Sequence, residues 1–264
     1  MYYVGIDIGS TAAKTAILDG QGNLSDTFVI PTGWSSREAA GSIVEQLLHQ
    51  GIFPCDCGKG KKNCLIVSTG YGREAVACAD RQLTEITCHA RGAALLFHDE
   101  KSVSVVDVGG QDTKVILVEN GMVADFLMND KCAAGTGKFI EIMANRLNVD
   151  LSELFQLARR GTPIPISALC TVFAETEVIS YIAEGRSRED IASGVIVSVA
   201  NKVATMCMRQ RLAEKVILTG GLSGNDYFAE LLSARMQRPV SASKEGRYAG
   251  AIGAALSAKK LDRQ

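Results

Sequence analysis

The chain carries the same local pattern twice, one hundred residues apart, and this limits its fold more than any other feature. "VGIDIGSTAAKTAILDG" and "SVVDVGGQDTKVILVEN" align so that Asp7 matches Asp107, Gly9 matches Gly109 and Lys14 matches Lys114. Each block is an apolar, β-branched run, then Asp-x-Gly, then a short polar turn and a second apolar run. That is the pattern of a β-hairpin. It predicts strands near 2–8 and 13–19 in the first copy and near 103–108 and 112–119 in the second, each hairpin followed by a third strand near 24–30 or 122–128. A chain built this way is expected to be α/β: two duplicated units, each opening with a β-meander, facing each other across a cleft.

The remaining periodicities fill in the two units. Residues 36–49 are amphipathic and helical, with Ser35 or Ser36 as N-cap, and "NCLIVSTG" reads as a buried strand entering a glycine turn. Residues 86–97 are helical. "TGKFIEIMANRL" puts apolar residues at 139, 140, 142, 143 and 147, a helical stripe. "TVFAETEVISYIAEG" and "REDIASGVIVSVANKVATMCMRQRL" predict two further helices, "KVILTGG" a strand with a glycine turn, and "YAGAIGAALSAKK" a helix of small residues. The polar "HDEKS" near 98–102 marks the boundary between a first domain, 1–100, and a second, 101–246. The helix at 247–264 is expected either to pack near the cleft or to cross back to the first domain.

Composition removes several function classes. A net charge of −1 over 264 residues gives no general basic field for nucleic acid or an anionic membrane. The start, MYYVGIDIGS, lacks the charged and apolar regions of a signal peptide, and no run of about 18 apolar residues predicts a membrane span. The expected location is cytoplasmic. In a reducing compartment, eight cysteines point to metal or redox chemistry rather than to disulfides.

The turns carry the phosphate chemistry. A hairpin tip of Gly9, Ser10, Thr11 and Ala12, continuing through Ala13 and Lys14, offers successive backbone N–H groups and two hydroxyls to an anion. Small residues there allow close approach. Gly109, Gly110 and Gln111 can do the same in the second copy, and Gln111 can orient an attacking water. Asp7 and Asp107 are expected to hold Mg²⁺ through its waters. Gly220 and Gly221, in "LTGGLSGN", form a third turn suited to a base and its ribose. Lys14 and Lys114 are either phosphate contacts or solvated strand ends. Together the three turns resemble the phosphate-1, phosphate-2 and adenosine motifs of the actin, Hsp70 and hexokinase ATPase superfamily. That resemblance implies two RNase H-like domains binding MgATP.

A narrower resemblance lies in "STGYGR" (68–73), "EITCHARGA" (85–93), "VVDVGGQDTKVI" (105–116), "FLMNDKCAAGTGKF" (126–139), "CTVFAETEVIS" (170–180) and "LTGG" (218–221). These segments are similar to the activator ATPases of 2-hydroxyacyl-CoA dehydratases, which also resemble benzoyl-CoA reductase ATPase subunits. The resemblance implies an oxygen-sensitive homodimer in which Cys132 and Cys170 of each chain bind half of one shared [4Fe–4S] cluster. It also implies that ATP hydrolysis drives a low-potential electron, received from a ferredoxin or flavodoxin, to an iron–sulfur dehydratase or reductase. Physical chemistry agrees: such a cluster needs four thiolates, two per chain. Each cysteine also precedes a predicted helix, whose N-terminus favours negative charge. Gly135 and Gly137 permit a sharp helix start. "CAAGTGKF" departs from the P-loop pattern G-x-x-x-x-G-K-[ST] at both ends, with Cys132 for glycine and Phe139 for the hydroxyl residue.

Two other functions fit the same fold. A sugar-type kinase would need a carboxylate base, for which Asp130 is the candidate, and a non-redox chaperone or scaffolding ATPase, for which the sequence is short, would form a nucleotide-dependent client complex without bound iron. Cys55, Cys57 and Cys64 could bind a metal with Cys78, Cys88 or His89, or be incidental thiols of a surface loop. Cys88 and His89 read as helix packing, and Cys78 and Cys207 as core. Arg73 and Glu85 receive no role, and Glu175 is left between pairing with a base and carrying a conformational signal.

Overall fold

The computed structural model describes residues 1–54, 61–97, 101–167 and 169–262. In chain order its elements are β1 (Tyr2–Ile8), β2 (Ala12–Leu18), β3 (Leu24–Pro31), α1 (Ser36–His49), β4 (Cys64–Thr69), β5 (Arg81–Gln82) and α2 (Glu85–Leu96). Then follow β6 (Ser102–Val108), β7 (Thr113–Glu119), β8 (Met122–Asn129), α3 (Gly137–Arg146), α4 (Leu151–Arg160), α5 (Thr171–Ala183) and α6 (Arg188–Cys207). The chain ends with β9 (Lys215–Gly220), α7 (Asp226–Met236), β10 (Val240–Ala242) and α8 (Ala249–Leu261).

The strands form two five-stranded sheets, ordered β3-β2-β1-β4-β5 and β8-β7-β6-β9-β10. The second order is the first, strand for strand, which makes the fold a duplicated RNase H-like α/β architecture. β1 runs antiparallel to β2 and parallel to β4, and β6 runs parallel to β9. Both central strands are buried almost end to end. Continuous rather than alternating burial is expected where both faces of a sheet are covered.

The chain divides into two compact units, one of Met1–Ser102, Val118–Asp125 and Glu245–Gln264, the other of Val103–Leu117 and Phe126–Lys244. In the first, α8 packs on β1, β2, β4 and α2. Glycine makes that packing possible. A Cβ on Gly253 would stand 1.7 Å from the Cys88 carbonyl oxygen, one on Gly92 1.9 Å from that of Ala249, and one on Gly5 1.9 Å from that of Ala251. Gly41, within α1, has open space around it. Gly253→Ala should therefore cost about 3 kcal/mol by forcing two backbones apart. Gly41→Ala should add about 0.5–1 kcal/mol through helix propensity. Urea unfolding of the two variants checks both signs.

In the second unit α3, α4 and α7 pack around α6, and α3 also meets α5. α6 is long and apolar enough to cross a membrane by length and composition, but most of it is buried in this core. Neither α4 nor α7 was expected from the sequence. α4 buries Leu154, Phe155, Leu157 and Ala158 and is capped by Asp150, which accepts from Glu153 N at 2.8 Å. α7 is capped in the same way by Asn225, which accepts from Phe228 N. The signals were present: "DLSE" is an acidic cap followed by Glu three residues on.

Candidate functional site

Each unit holds a buried aspartate on its central strand. In the first unit Asp7 lies opposite Lys14 on β2 and Thr69 on β4. It is 2% exposed, and Lys14 Nζ is 3.6 Å from its Oδ2. The turn closes when Gly9 N donates to the Ala12 carbonyl, 3.1 Å. The tip is therefore shorter than the sequence suggested. Ser10 and Thr11 reach the surface, but Ala12 and Ala13 already belong to β2, and Ala13 is fully buried.

The second unit repeats this arrangement. Asp107 lies opposite Thr219 on β9, whose hydroxyl donates to Asp107 Oδ1 at 3.2 Å. Gly109 N donates to the Asp112 carbonyl at 2.9 Å, leaving Gly110 half-buried and Gln111 exposed at the tip. Lys114 Nζ is 3.4 Å from Asp107 Oδ2 and 2.8 Å from Asp112 Oδ2, with the lysine side chain only 2% exposed. The reading of Lys114 as a solvated strand end is thus corrected: its ammonium is buried between two carboxylates, since a buried cation must be paired. Lys14 is also covered, at 18% exposure.

The duplication extends to a third strand that a constant offset of 100 could not reveal. Gly70 (φ +86°) and Gly220 (φ +82°) each follow a threonine at the end of the neighbouring parallel strand. A Cβ on either would lie 2.5 Å from the aspartate Oδ1 of its own unit. Behind them, Gly72 N donates to the Ile8 carbonyl and Gly221 N to that of Val108. Thr69–Gly70 and Thr219–Gly220 are 150 positions apart (219 − 69), because the connecting segments differ in length. Glycine is required at both turns, for the positive φ and for the close approach to the carboxylate.

"GTGK" is a structural joint within the second unit. Gly137 N donates to the Gly109 carbonyl at 2.9 Å and Lys138 N to that of Gly110 at 2.8 Å, while Thr113 Oγ1 donates to the Gly135 carbonyl at 2.7 Å. The first amides of α3 are thus engaged by protein carbonyls, and so are not arranged as a phosphate cradle. No side chain caps this helix; the glycine turn of Asp107's hairpin does so with main-chain oxygens.

The two cysteines singled out by the sequence lie in segments that meet. Cys132 is half-buried, its carbonyl accepts from Asn129 Nδ2 at 2.9 Å, and its Sγ lies 3.8 Å from the carbonyl oxygen of Leu169, the residue before Cys170. Cys170 occupies the N-cap position of α5. Cys132 does not hold the corresponding place on α3, which begins at Gly137 after Thr136. The expectation that both cysteines directly precede a helix therefore holds for one. Glu175 has a definite partner: it bridges α5 to Arg146 of α3. Around Cys170, Leu169, Val172, Phe173, Ile179 and Ile182 are exposed. Cys88 and Cys207 are different, since burial pushes each thiol up to about 12. Both stay protonated at neutral pH and serve as core residues, joined by the buried Cys64 of β4. Cys55 and Cys57 lie outside the described residues.

One polar group was not foreseen as such. Glu85 and His89, one turn apart on α2, converge on Asp7 so that one ligand atom from each lies within 4.8 Å of the others. His89 Nε2 is 3.7 Å from Glu85 Oε1. The i, i+4 spacing was visible in "EITCH", but the approach to Asp7 is made by tertiary packing.

The family model described as the BadF/BadG/BcrA/BcrD ATPase family matches residues 4–258. The chain belongs to this family. Over 262 residues it is 39% identical to the (R)-2-hydroxyglutaryl-CoA dehydratase activating ATPase of Acidaminococcus fermentans, covering 98% of each chain. It is similar throughout its length to the crystal structure of component A of that organism's dehydratase, with a TM-score of 0.90 at 39% identity and full coverage of both chains. It is also similar to the activator of 2-hydroxyisocaproyl-CoA dehydratase from Clostridium difficile solved with bound ADPNP. That match has a TM-score of 0.87 at 35% identity, covering 100% of this chain and 96% of the other. Family membership makes this protein an ATPase. It does not favour the kinase reading, whose candidate base, Asp130, is exposed past the end of β8.

Proposed function

We propose that this protein is an ATP-hydrolysing activator that passes a low-potential electron to a 2-hydroxyacyl-CoA dehydratase or related reductase. The observation that carries this reading is the meeting of the Cys132 and Cys170 segments, 3.8 Å from Sγ to the Leu169 carbonyl despite a separation of 38 residues (170 − 132). The names of the full-length relatives supply the reaction class.

The described thiols suit a [4Fe–4S] cluster. Cys132 and Cys170 are partly accessible, whereas Cys88 and Cys207 are too buried to ionise. Cys170 stands at a helix N-terminus that no side chain caps, where negative charge is favoured. Two thiols are half of what the cluster needs. An exposed apolar stripe at Leu169, Val172, Phe173, Ile179 and Ile182 suits burial against a second copy bringing the other two. The cluster would supply the one-electron chemistry, and these residues would hold it on the two-fold axis of a homodimer.

For nucleotide, Ser10, Thr11, Ala12, Ala13 and Lys14 and the Gly109–Gly110 turn serve the phosphates, and Gly220–Gly221 the adenosine. Asp7 and Asp107 serve Mg²⁺ through its waters, and Gln111 orients the attacking water. The donor would be a ferredoxin or flavodoxin in an anaerobic cytoplasm. The test is anaerobic purification with iron and sulfide analysis, followed by ATP turnover of the wild type and Asp107→Asn. About two irons per chain and loss of ATP turnover of at least 100-fold in the variant are expected. A colourless, iron-free protein, or a fully active variant, overturns the reading.

A further inference from the structure

We propose that Asp7, Glu85 and His89 form a site for one divalent first-row transition-metal ion. Their three ligand atoms lie within 4.8 Å of one another, and His89 Nε2 and Glu85 Oε1 are 3.7 Å apart. Metal–oxygen and metal–nitrogen bonds of about 2.0–2.2 Å place ligand atoms at most ~4.4 Å apart. Side-chain shifts of a few tenths of an ångström would therefore close the set around an ion.

Two further observations point to an occupant. Asp7 is 2% exposed, yet its Oδ1, the carboxylate oxygen beside Gly70, has no hydrogen-bond partner. A buried carboxylate oxygen without a partner is costly unless something positive reaches it. Space is also kept open beside the group: a Cβ on Gly250, in the first turn of α8, would stand 2.8 Å from Asp7 Oδ2 and 3.0 Å from His89 Nε2. Any larger residue would fill the point between carboxylate and imidazole. Lys14, 3.6 Å from Asp7 Oδ2, is the neighbouring cation with which the ion shares that carboxylate.

The donor set selects the ion. Imidazole suits zinc, iron and nickel, carboxylates suit manganese and magnesium, and magnesium keeps its waters where it can. One imidazole with two carboxylates favours Mn²⁺ or its neighbours in the series over Mg²⁺. The site shares Asp7 with the proposed nucleotide site and rests on that reading for nothing else, because its ion is held by side chains without ATP.

The test is a titration of MnCl₂ into nucleotide-free protein, followed by the EPR signal of unbound Mn²⁺. The expected result is one Mn²⁺ per chain, at least tenfold tighter than Mg²⁺ in competition. Affinity should fall at least tenfold in both Glu85→Gln and His89→Ala. Cys132→Ser should retain the site, which separates it from iron bound by cysteine. In the wild type, Mn²⁺ should broaden the NMR signals of one of the three histidine imidazoles, a readout independent of how the variants fold. Absence of Mn²⁺ binding, broadening of no imidazole, or unchanged affinity in both folded variants overturns the site. ATP binding on the same samples separates the two readings. Mn²⁺ bound without ATP keeps the site and removes the nucleotide assignment; ATP bound without Mn²⁺ removes the site alone.

Discussion

Replacing Cys132 with serine should remove bound iron almost completely and leave nucleotide affinity within about twofold of the wild type. Serine keeps the size of the side chain but offers a hydroxyl that stays protonated where a thiolate would ligate. Cys132 is half-buried in a loop, so the exchange disturbs little packing. Of the other described thiols, Cys88 and Cys207 are held protonated by burial, with pKa values pushed up to about 12, and Cys64 is buried within β4. Iron should fall from about two atoms per chain to near zero, and Cys170→Ser should behave alike. Iron and acid-labile sulfide on anaerobically purified variants, with ATP binding by calorimetry, measure both halves. Full iron retention by Cys132→Ser would move the metal to another cysteine set and sink the assignment.

Lys114→Met should destabilise the fold by about 3–5 kcal/mol. Methionine fills the volume of the lysine stem, so the measurement isolates the charge. Lys114 is buried between Asp107 and Asp112, at 3.4 Å and 2.8 Å. Its removal leaves two buried carboxylates without their cation. Lys14→Met, its counterpart, should cost less. It has one carboxylate, at 3.6 Å, where Lys114 has two, and keeps 18% of its side chain exposed. Chemical denaturation of the two variants side by side decides the matter. Equal losses would mean that Lys114 is not confined as its surroundings indicate.

What the sequence revealed about this molecule was local or periodic. The two hairpins were legible because their repeat is spaced evenly, Asp7 to Asp107 and Lys14 to Lys114. The matching Thr–Gly turns were hidden by connecting segments of unequal length. α4 has a clear cap and an apolar face at Leu154, Phe155, Leu157 and Ala158, so its signal lies in the local sequence. The burial of Lys114 was illegible, because a lysine near a strand end reads as solvated until its partner Asp112 turns back on it. The approach of Glu85 and His89 to Asp7 was equally hidden, as it depends on how α2 packs against α8, which in turn packs on β1. The proximity of the Cys132 and Cys170 segments could not follow from a spacing of 38 residues.

The two amides of α3 that donate to Gly109 and Gly110 set the character of any signal passing from that turn. Hydrogen bonds of this length hold over only a few tenths of an ångström before they fail. A glycine turn that shifts slightly must therefore carry α3 with it or let go of it altogether. Such a coupling behaves as a clutch, engaged or released, and not as a spring that deforms in proportion. Its working parts are main-chain atoms, and glycine leaves them room: a Cβ on Gly137 would stand 3.1 Å from the Gly109 carbonyl oxygen that accepts the bond. Through the Arg146–Glu175 bridge, movement of α3 would be felt at α5, the helix that begins immediately after Cys170.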